Sequence, residues 1–236
     1  MTEAKLVLLR HGQTKDNLDH VDTGQNDVPL TAEGRKQASM AGLMIGNIHF
    51  DKVYSSPLSR AYDTALLALE SSGKQKHLLN GDGTWKVEKR KEIIEVDDGD
   101  LTGRHMDDPD VVEYFKKAVF DKAPPNGESE KHFVARVRKF YDEAVVPRLE
   151  RGENVLIVAH TGTLRALYIA MGITPQPEDG QPWKNRRRVY NAIPVINEYK
   201  DGVLAKSGVD EADEALKKNT PQQKKPSAKK TGDPRP

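Results

Sequence analysis

The stretch NVLIVAHTGTLRALYIAMG, residues 154–172, decides the fold. Asn154 to Ala159 is the most apolar strand-like run of the chain. His160-Thr161-Gly162 interrupts it, and Thr163 to Met171 resumes with the spacing of a helix. A buried strand that passes within a few residues into a helix is the repeating unit of an α/β sheet. KLVLLRHG, residues 5–12, repeats the pattern of an apolar run closed by a histidine and a glycine. Phe50 to Ser55 predicts another short strand. Pro57 then suits the first turn of a helix, whose apolar spacing shows at Ala61, Ala65, Leu66 and Leu69. Thr31 suits the N-cap of a helix running through RKQASMAGLMIGNI. Further out, Ser71 to Thr84 reads as loop and Lys91 to Val96 as a short edge strand. Asp107 to Lys122 and Ser129 to Arg151 read as helices, and Val189 to Tyr199 as a last strand. The expected architecture is a single-domain α/β three-layer sandwich over residues 1–205, with a mostly parallel central sheet and helices on both faces.

Composition narrows the function. Among 236 residues there is no cysteine, which removes disulfide scaffolds, thiolate metal sites and a cysteine nucleophile. Lys+Arg 37 against Asp+Glu 36 creates no global field for nucleic acid. The apolar run Leu6 to Leu9 is too short for a signal peptide or a membrane span, so a cytoplasmic location is expected. Residues 206–236 form a Lys/Pro-rich tail, expected to be mostly disordered. After Leu216 it carries seven cations against Asp233 and nothing apolar enough to offset its ordering entropy. It reads as a solvated tail, or as a weak, salt-sensitive tether to acidic partners.

Open α/β sheets bind ligands beyond the carboxyl ends of their strands. The residues expected there are Arg10-His11-Gly12, Ser55-Ser56, Glu95 to Asp98 and His160-Thr161-Gly162. Each histidine alone could simply end a strand; two at neighbouring strand ends suggest a pair. A histidine pair with a nearby Glu could hold a metal, but Arg10 beside His11 repels a divalent cation and favours an anion, whose oxygens suit a guanidinium fork. Arg60 lies near an expected helix N-terminus, where free N–H groups also favour anions. The residues alone do not separate Glu95 from Asp97, Asp98 and Asp100.

RHGQT at 10–14, SSPLSRA at 55–61 and AHTGTLRA at 159–166 resemble the histidine phosphatase superfamily. The run from Arg10 to Gly34, with Asn17, Thr23, Gly24, Asp27 and Leu30, is similar to its cofactor-dependent phosphoglycerate mutase branch. Gly99-Asp100-Leu101-Thr102-Gly103, Pro124-Pro125 before Glu128-Ser129, and Ile193-Pro194-Val195 extend the likeness over residues 4–205. The resemblance selects Glu95 as the acid. It implies that His11 becomes a phosphohistidine while Arg10, Arg60 and His160 surround the transferring group. Glu95 would protonate the leaving oxygen, and Asn17, Thr23, Gly24 and Gly162 would hold phosphate or substrate oxygens. No metal is required, since arginines and imidazolium supply the positive field. The substrate would be a small phosphorylated metabolite, with 2,3-bisphosphoglycerate as primer if the protein is a mutase. A homo-oligomer is compatible with this reading.

Several positions depart from the branch. Asp16 and Gln25 stand where it carries aromatics. Val96, Asp97 and Asp98 replace an Arg, a variable residue and a Tyr after the acid. Met106 stands for a basic residue, Lys116-Lys117 for an arginine pair and Thr161 for a glycine. In the branch these positions grip the carboxylate and second phosphate of a phosphoglycerate, and added acids would repel such a ligand. The expectations are therefore a 2,3-bisphosphoglycerate-dependent phosphoglycerate mutase, with a phosphomonoesterase as the alternative. A non-catalytic phosphate-binding scaffold has no need of both a nucleophile and an acid.

Overall fold

The computed structural model describes residues 1–182, 189–210 and 212. Six strands form one mixed sheet: β1 (Glu3–Arg10), β2 (Lys52–Ser55), β3 (Val87–Lys89), β4 (Val155–Ala159), β5 (Val195–Lys200) and β6 (Val203–Lys206), in spatial order β3-β2-β4-β1-β5-β6. The first four are mutually parallel, while β5 and β6 add antiparallel at the β1 edge. The helices are α1 (Lys15–Asp19), α2 (Ala32–Met44), α3 (Ser59–Ser72), α4 (Pro109–Lys117), α5 (Glu130–Phe140), α6 (Val146–Glu150) and α7 (Thr161–Ala170).

Alternation along each strand divides the core into two layers. Val7, Leu9, Val53, Leu156 and Val158 pack beneath α2 and α3 through Ala41, Ile45, Ala65 and Leu69. Leu6, Leu8, Tyr54, Val155 and Ile157 pack on the opposite face beneath α5 and α7, through Phe133, Val137, Leu164 and Leu167. All five residues of β4 are buried, as a strand covered on both faces requires. The three-layer α/β expectation holds.

Some elements differ from their expected form. The edge strand lies at Val87–Lys89 rather than Lys91–Val96, where Lys91–Ile93 instead makes a 3₁₀ turn. There the carbonyls of Glu92 and Ile94 are taken by Arg136 instead of by a neighbouring strand. The helix expected over Ser129–Arg151 is continuous but passes through a π turn at Tyr141–Val145 just before Pro147. Proline lacks an N–H and its ring needs room against the preceding turn, which a local widening supplies. The helix expected over Asp107–Lys122 covers only Pro109–Lys117, opened by the Asp108 side chain on the Asp110 amide. The last expected strand starts at Val195, because Ala192 takes a left-handed backbone and Pro194 cannot donate to a ladder. Val209 is buried and Ala212 packs against the core, so packing continues past residue 205. The rest of the basic tail lies outside the described residues. Among the described residues, no helix is long and apolar enough to cross a membrane.

Candidate active site

Strand register builds the site. β1 and β4 pair so that Arg10 stands beside Ala159, and His11 N–H continues the ladder by donating to the Ala159 carbonyl at 3.0 Å. On the other side of β4, Ser55 stands beside Val158, and Ser56 N–H donates to the Val158 carbonyl at 3.0 Å. Three parallel strands thus end at one level, and His11 and His160 leave the sheet on adjacent strands. Their rings lie 5.2 Å apart between centroids, close to the ~4.8 Å spacing of neighbouring strands. Gly12 follows because a side chain there would collide with the Gly34 backbone: a Cβ would meet the Gly34 carbonyl oxygen at 2.2 Å.

Both imidazoles are buried, and hydrogen bonds fix their tautomers. His11 Nδ1 lies 2.7 Å from the Gly12 carbonyl and must carry the hydrogen, which leaves the Nε2 lone pair for an electrophile. His160 Nε2 contacts Ser56 Oγ at 2.7 Å, and its Nδ1 accepts from Arg60 Nε at 3.2 Å. Burial first, then the charges of Arg10 and Arg60, hold His11 well below the ordinary histidine range. His160 is likewise lowered by burial, followed by Arg60, His11 and Arg10. The sequence led to an expected imidazolium here; the structure has a neutral ring, whose Nδ1 can accept from Arg60 only while unprotonated.

Arg60 is 1% exposed, among the largest fully buried side chains of the described residues. Its Nη1 donates to the Asn26 carbonyl at 2.6 Å and its Nη2 to the Gly24 carbonyl at 2.8 Å, which ties the 24–26 loop to His160. Asp27 from the same loop caps α3, accepting Ser59 N–H at 2.7 Å. Arg10 donates from Nη1 to the Val189 carbonyl at 2.9 Å, while its buried Nε has no partner. Burial lowers the Arg10 guanidinium to about 10.

Glu95 reaches the site from the segment after the 3₁₀ turn. Its carboxylate sits on the first turn of α7, accepting Gly162 N–H and Thr163 N–H at 3.1 Å each, where the free amides and the helix dipole favour an anion. The Gly162 amide, expected on a substrate oxygen, is therefore directed at Glu95. The Gly24 amide is likewise directed at Asp22 Oδ1, at 3.3 Å. Asn17 closes the capping box of α1 with Thr14, and its Oδ1 accepts Asn191 Nδ2 at 3.1 Å.

A cavity of about 300 Å³ opens over these groups. Arg10, His11, Asn17, Thr23, Gly24, Arg60, Glu95 and Gly162 all line it; His160 stands behind them. Arg165, Asp22 and Glu130 also line it, and sequence reasoning did not single them out. Arg165 had a visible signal, since it follows Gly162 by three residues and so shares its helix face. Asp98, left among several loop acids by the sequence, lines the cavity too, and burial followed by the charges of Asp22, Glu95 and Glu130 pushes its carboxyl up to about 9. Among the described residues, no three or more His, Asp or Glu side chains are grouped as metal ligands.

Two neutral imidazoles, arginines and a carboxylate over the carboxyl ends of a mainly parallel sheet suit an anionic ligand with several oxygens. The chain belongs to the histidine phosphatase superfamily (branch 1), whose family model matches residues 6–190. It is 38% identical over 182 residues to a 2,3-bisphosphoglycerate-dependent phosphoglycerate mutase of Brucella anthropi, covering 72% of this chain and 83% of the relative. Among solved structures, the phosphoglycerate mutase of Bacillus anthracis matches with a TM-score of 0.69 at 25% identity, over 90% of this chain and 97% of the other. A mycobacterial glucosyl-3-phosphoglycerate phosphatase matches with a TM-score of 0.64 at 31% identity, over 82% and 92%.

Proposed function

We propose that this enzyme hydrolyses phosphate monoesters of small metabolites through a phosphohistidine. The observation that carries the reading is the set of carboxyl groups, Asp22, Asp98 and Glu130, that lines the same cavity as Arg10 and Arg60. The arginines suit a phosphoryl group. A second phosphate or a carboxylate beside the acids is disfavoured: burial and the charges of Asp22, Glu95 and Glu130 already hold Asp98 protonated, and a further anion would meet the same repulsion.

The residues divide the work as follows. His11 Nε2 attacks phosphorus in line with the leaving oxygen; the P–N bond forms as the P–O bond breaks. Arg10 and Arg60 stabilise the charge spread over the equatorial oxygens, and the unpartnered Arg10 Nε is a free donor for one of them. His160, kept neutral by burial and by Arg60, stands beside His11 on the adjacent strand and orients Arg60 through Nδ1. The negative charge of the bound phosphate monoester favours a proton on Glu95, which passes it to the departing alkoxide. In the second half Glu95 takes a proton from water as the water oxygen attacks phosphorus, and the P–N bond breaks to release phosphate and restore His11.

A second reading, a phosphoglycerate mutase primed by 2,3-bisphosphoglycerate, is favoured by Arg165 on the cavity wall and by the relatives named above. In that case the phosphoryl group passes to a hydroxyl of a phosphoglycerate instead of to water, and no phosphate is released. Purified protein given glycerol 2-phosphate, p-nitrophenyl phosphate or 3-phosphoglycerate, each with and without 2,3-bisphosphoglycerate, separates the two. Phosphate release from the first two, outpacing formation of 2-phosphoglycerate, is expected. Interconversion of phosphoglycerates that depends on the bisphosphate and releases little phosphate would establish the mutase instead.

A further inference from the structure

Arg136 lies on α5, outside the cavity lining, yet its guanidinium is divided between the segment that carries Glu95 and the Glu128 carboxylate. Nη1 donates to the carbonyls of Glu92 at 2.7 Å and Ile94 at 2.9 Å. Nη2 donates to the carbonyl of Glu95 itself at 3.0 Å. Nε and Nη2 also pair with the Glu128 carboxylate, and the guanidinium lies 4.6 Å from the Phe133 ring centroid. Glu128 in turn accepts the Asp97 amide at 3.1 Å. The backbone on both sides of Glu95 is therefore held by one ion pair: three carbonyls by the arginine, and an amide two residues on by its partner.

This arrangement answers a need of the fold. Glu95 does not emerge from a strand, so no ladder fixes its position. Ile93, two residues before it, is fully buried, while Glu95 is partly exposed at the cavity. The planar fork, with five N–H groups, can meet several carbonyls and a carboxylate together; an ammonium cannot do so in one plane. The ring of Phe133 on the same helix supports the fork and also lies beside Gly162, where Glu95 rests.

We propose that Arg136, braced by Glu128, is the positioning residue of the catalytic acid: it sets the height of Glu95 against α7 and so the transfer of its proton to the leaving oxygen. The inference rests on the acid role given to Glu95 under the proposed function.

The test compares leaving groups. An alkoxide needs a proton as it leaves, whereas p-nitrophenolate is already a stable anion. The ratio kcat/KM is read because it covers the steps up to release of the first product and excludes hydrolysis of the phosphohistidine. Arg136→Met is expected to lower kcat/KM on glycerol 2-phosphate by roughly 10–100-fold, the scale of a misplacement near 1 Å. On p-nitrophenyl phosphate the loss should stay within about threefold, as expected where protonation of the leaving group contributes little. Because both changes act on one group, Glu95→Gln with Arg136→Met should be no more than about threefold worse than Glu95→Gln alone. Arg136→Lys should behave like Arg136→Met, since the fork and not the charge makes the contacts.

Equal losses on both substrates in Arg136→Met, or multiplying losses in the double variant, would overturn the proposal. Leaving-group dependence in Glu95→Gln without any in Arg136→Met sinks the clamp and keeps the acid. No dependence in Glu95→Gln sinks the acid and the clamp with it. If Arg136→Met does not fold, Glu128→Gln serves in its place: it keeps the carbonyl contacts and weakens the brace. A smaller loss confined to glycerol 2-phosphate supports the clamp, and an unchanged ratio between the substrates overturns it.

Discussion

Replacing Gly162 by alanine should damage catalysis far more than folding. A Cβ at that position would lie 2.5 Å from Glu95 Oε1 and 3.2 Å from Phe133 Cε1, where ordinary contact begins at 3.4 Å. The carboxylate must therefore retreat by about 0.9 Å (3.4 less 2.5), and Phe133 by a few tenths. Gly162 has no left-handed backbone, so alanine brings no conformational strain of its own. The retreat loosens the hydrogen bonds from Gly162 and Thr163 to Glu95. Each such bond to a charged group is worth about 1.5–3 kcal/mol when fully lost, and less here because water can enter the cavity. Alanine recovers up to about 1 kcal/mol of helix propensity over glycine. The bonds are stretched rather than broken, so after alanine's gain a net cost of about 1 kcal/mol remains, and at about 2–4 °C per kcal/mol for a domain this large the melting temperature should fall by only a few degrees. A shift near 1 Å at a proton donor costs up to about 100-fold in rate. The assay is kcat/KM on glycerol 2-phosphate and on p-nitrophenyl phosphate, beside a thermal melt. A large loss on the first, a small one on the second and a melt lowered by only a few degrees are expected. Glycerol 2-phosphate turnover within about twofold of the parent would refute the idea that proton transfer depends on where Glu95 rests.

Quenched in base during turnover of a labelled phosphate donor, the parent enzyme is expected to retain label as phosphohistidine and His11→Ala to retain none; label that persists in the variant would move the nucleophile elsewhere. Because burial and the neighbouring arginines lower both histidines, their neutral forms persist as pH falls through 6.5, and the ¹⁵N resonances of His11 and His160 in the free enzyme should still report neutral rings at pH 6. Imidazolium shifts at that pH would contradict the hydrogen-bond assignment. Asp98 has its folded pKa raised to about 9, so the stability it contributes is complete below the unfolded value near 4 and drains away as pH rises towards 9. Asp98→Asn removes that loss, so its melting temperature relative to the parent should climb from pH 4 to pH 9. A difference that stays constant over that range would show that Asp98 is not held protonated.

Much of this site was legible because it hangs on strand ends. His11 and His160 each follow an apolar run directly, and a run covered on both faces can only be a strand whose register then sets the pair side by side. Thr31 capping its helix was legible for the same local reason, its hydroxyl accepting Gly34 N–H at 2.9 Å. Glu95 was not legible from the residues alone, because its place is set by α5 and α7, far away in sequence, and only the family likeness selected it. The misread strand at 91–96 has the same cause: a distant arginine takes carbonyls that a neighbouring strand would otherwise claim. The neutral state of His160 was hidden too, since protonation follows from how fully Arg60 and the sheet enclose the ring.

The strand order has a consequence for synthesis of the chain. β1 and β2 are made early but never touch; β4, about a hundred residues after β2, is the wedge that joins them. Until β4 leaves the ribosome, β1 and β2 each present an open, apolar edge with unmet N–H and C=O groups, the kind of surface that recruits other chains. Nascent chains halted between β2 and β4 should therefore bind holdase chaperones strongly, and release from them should coincide with emergence of residues 155–159.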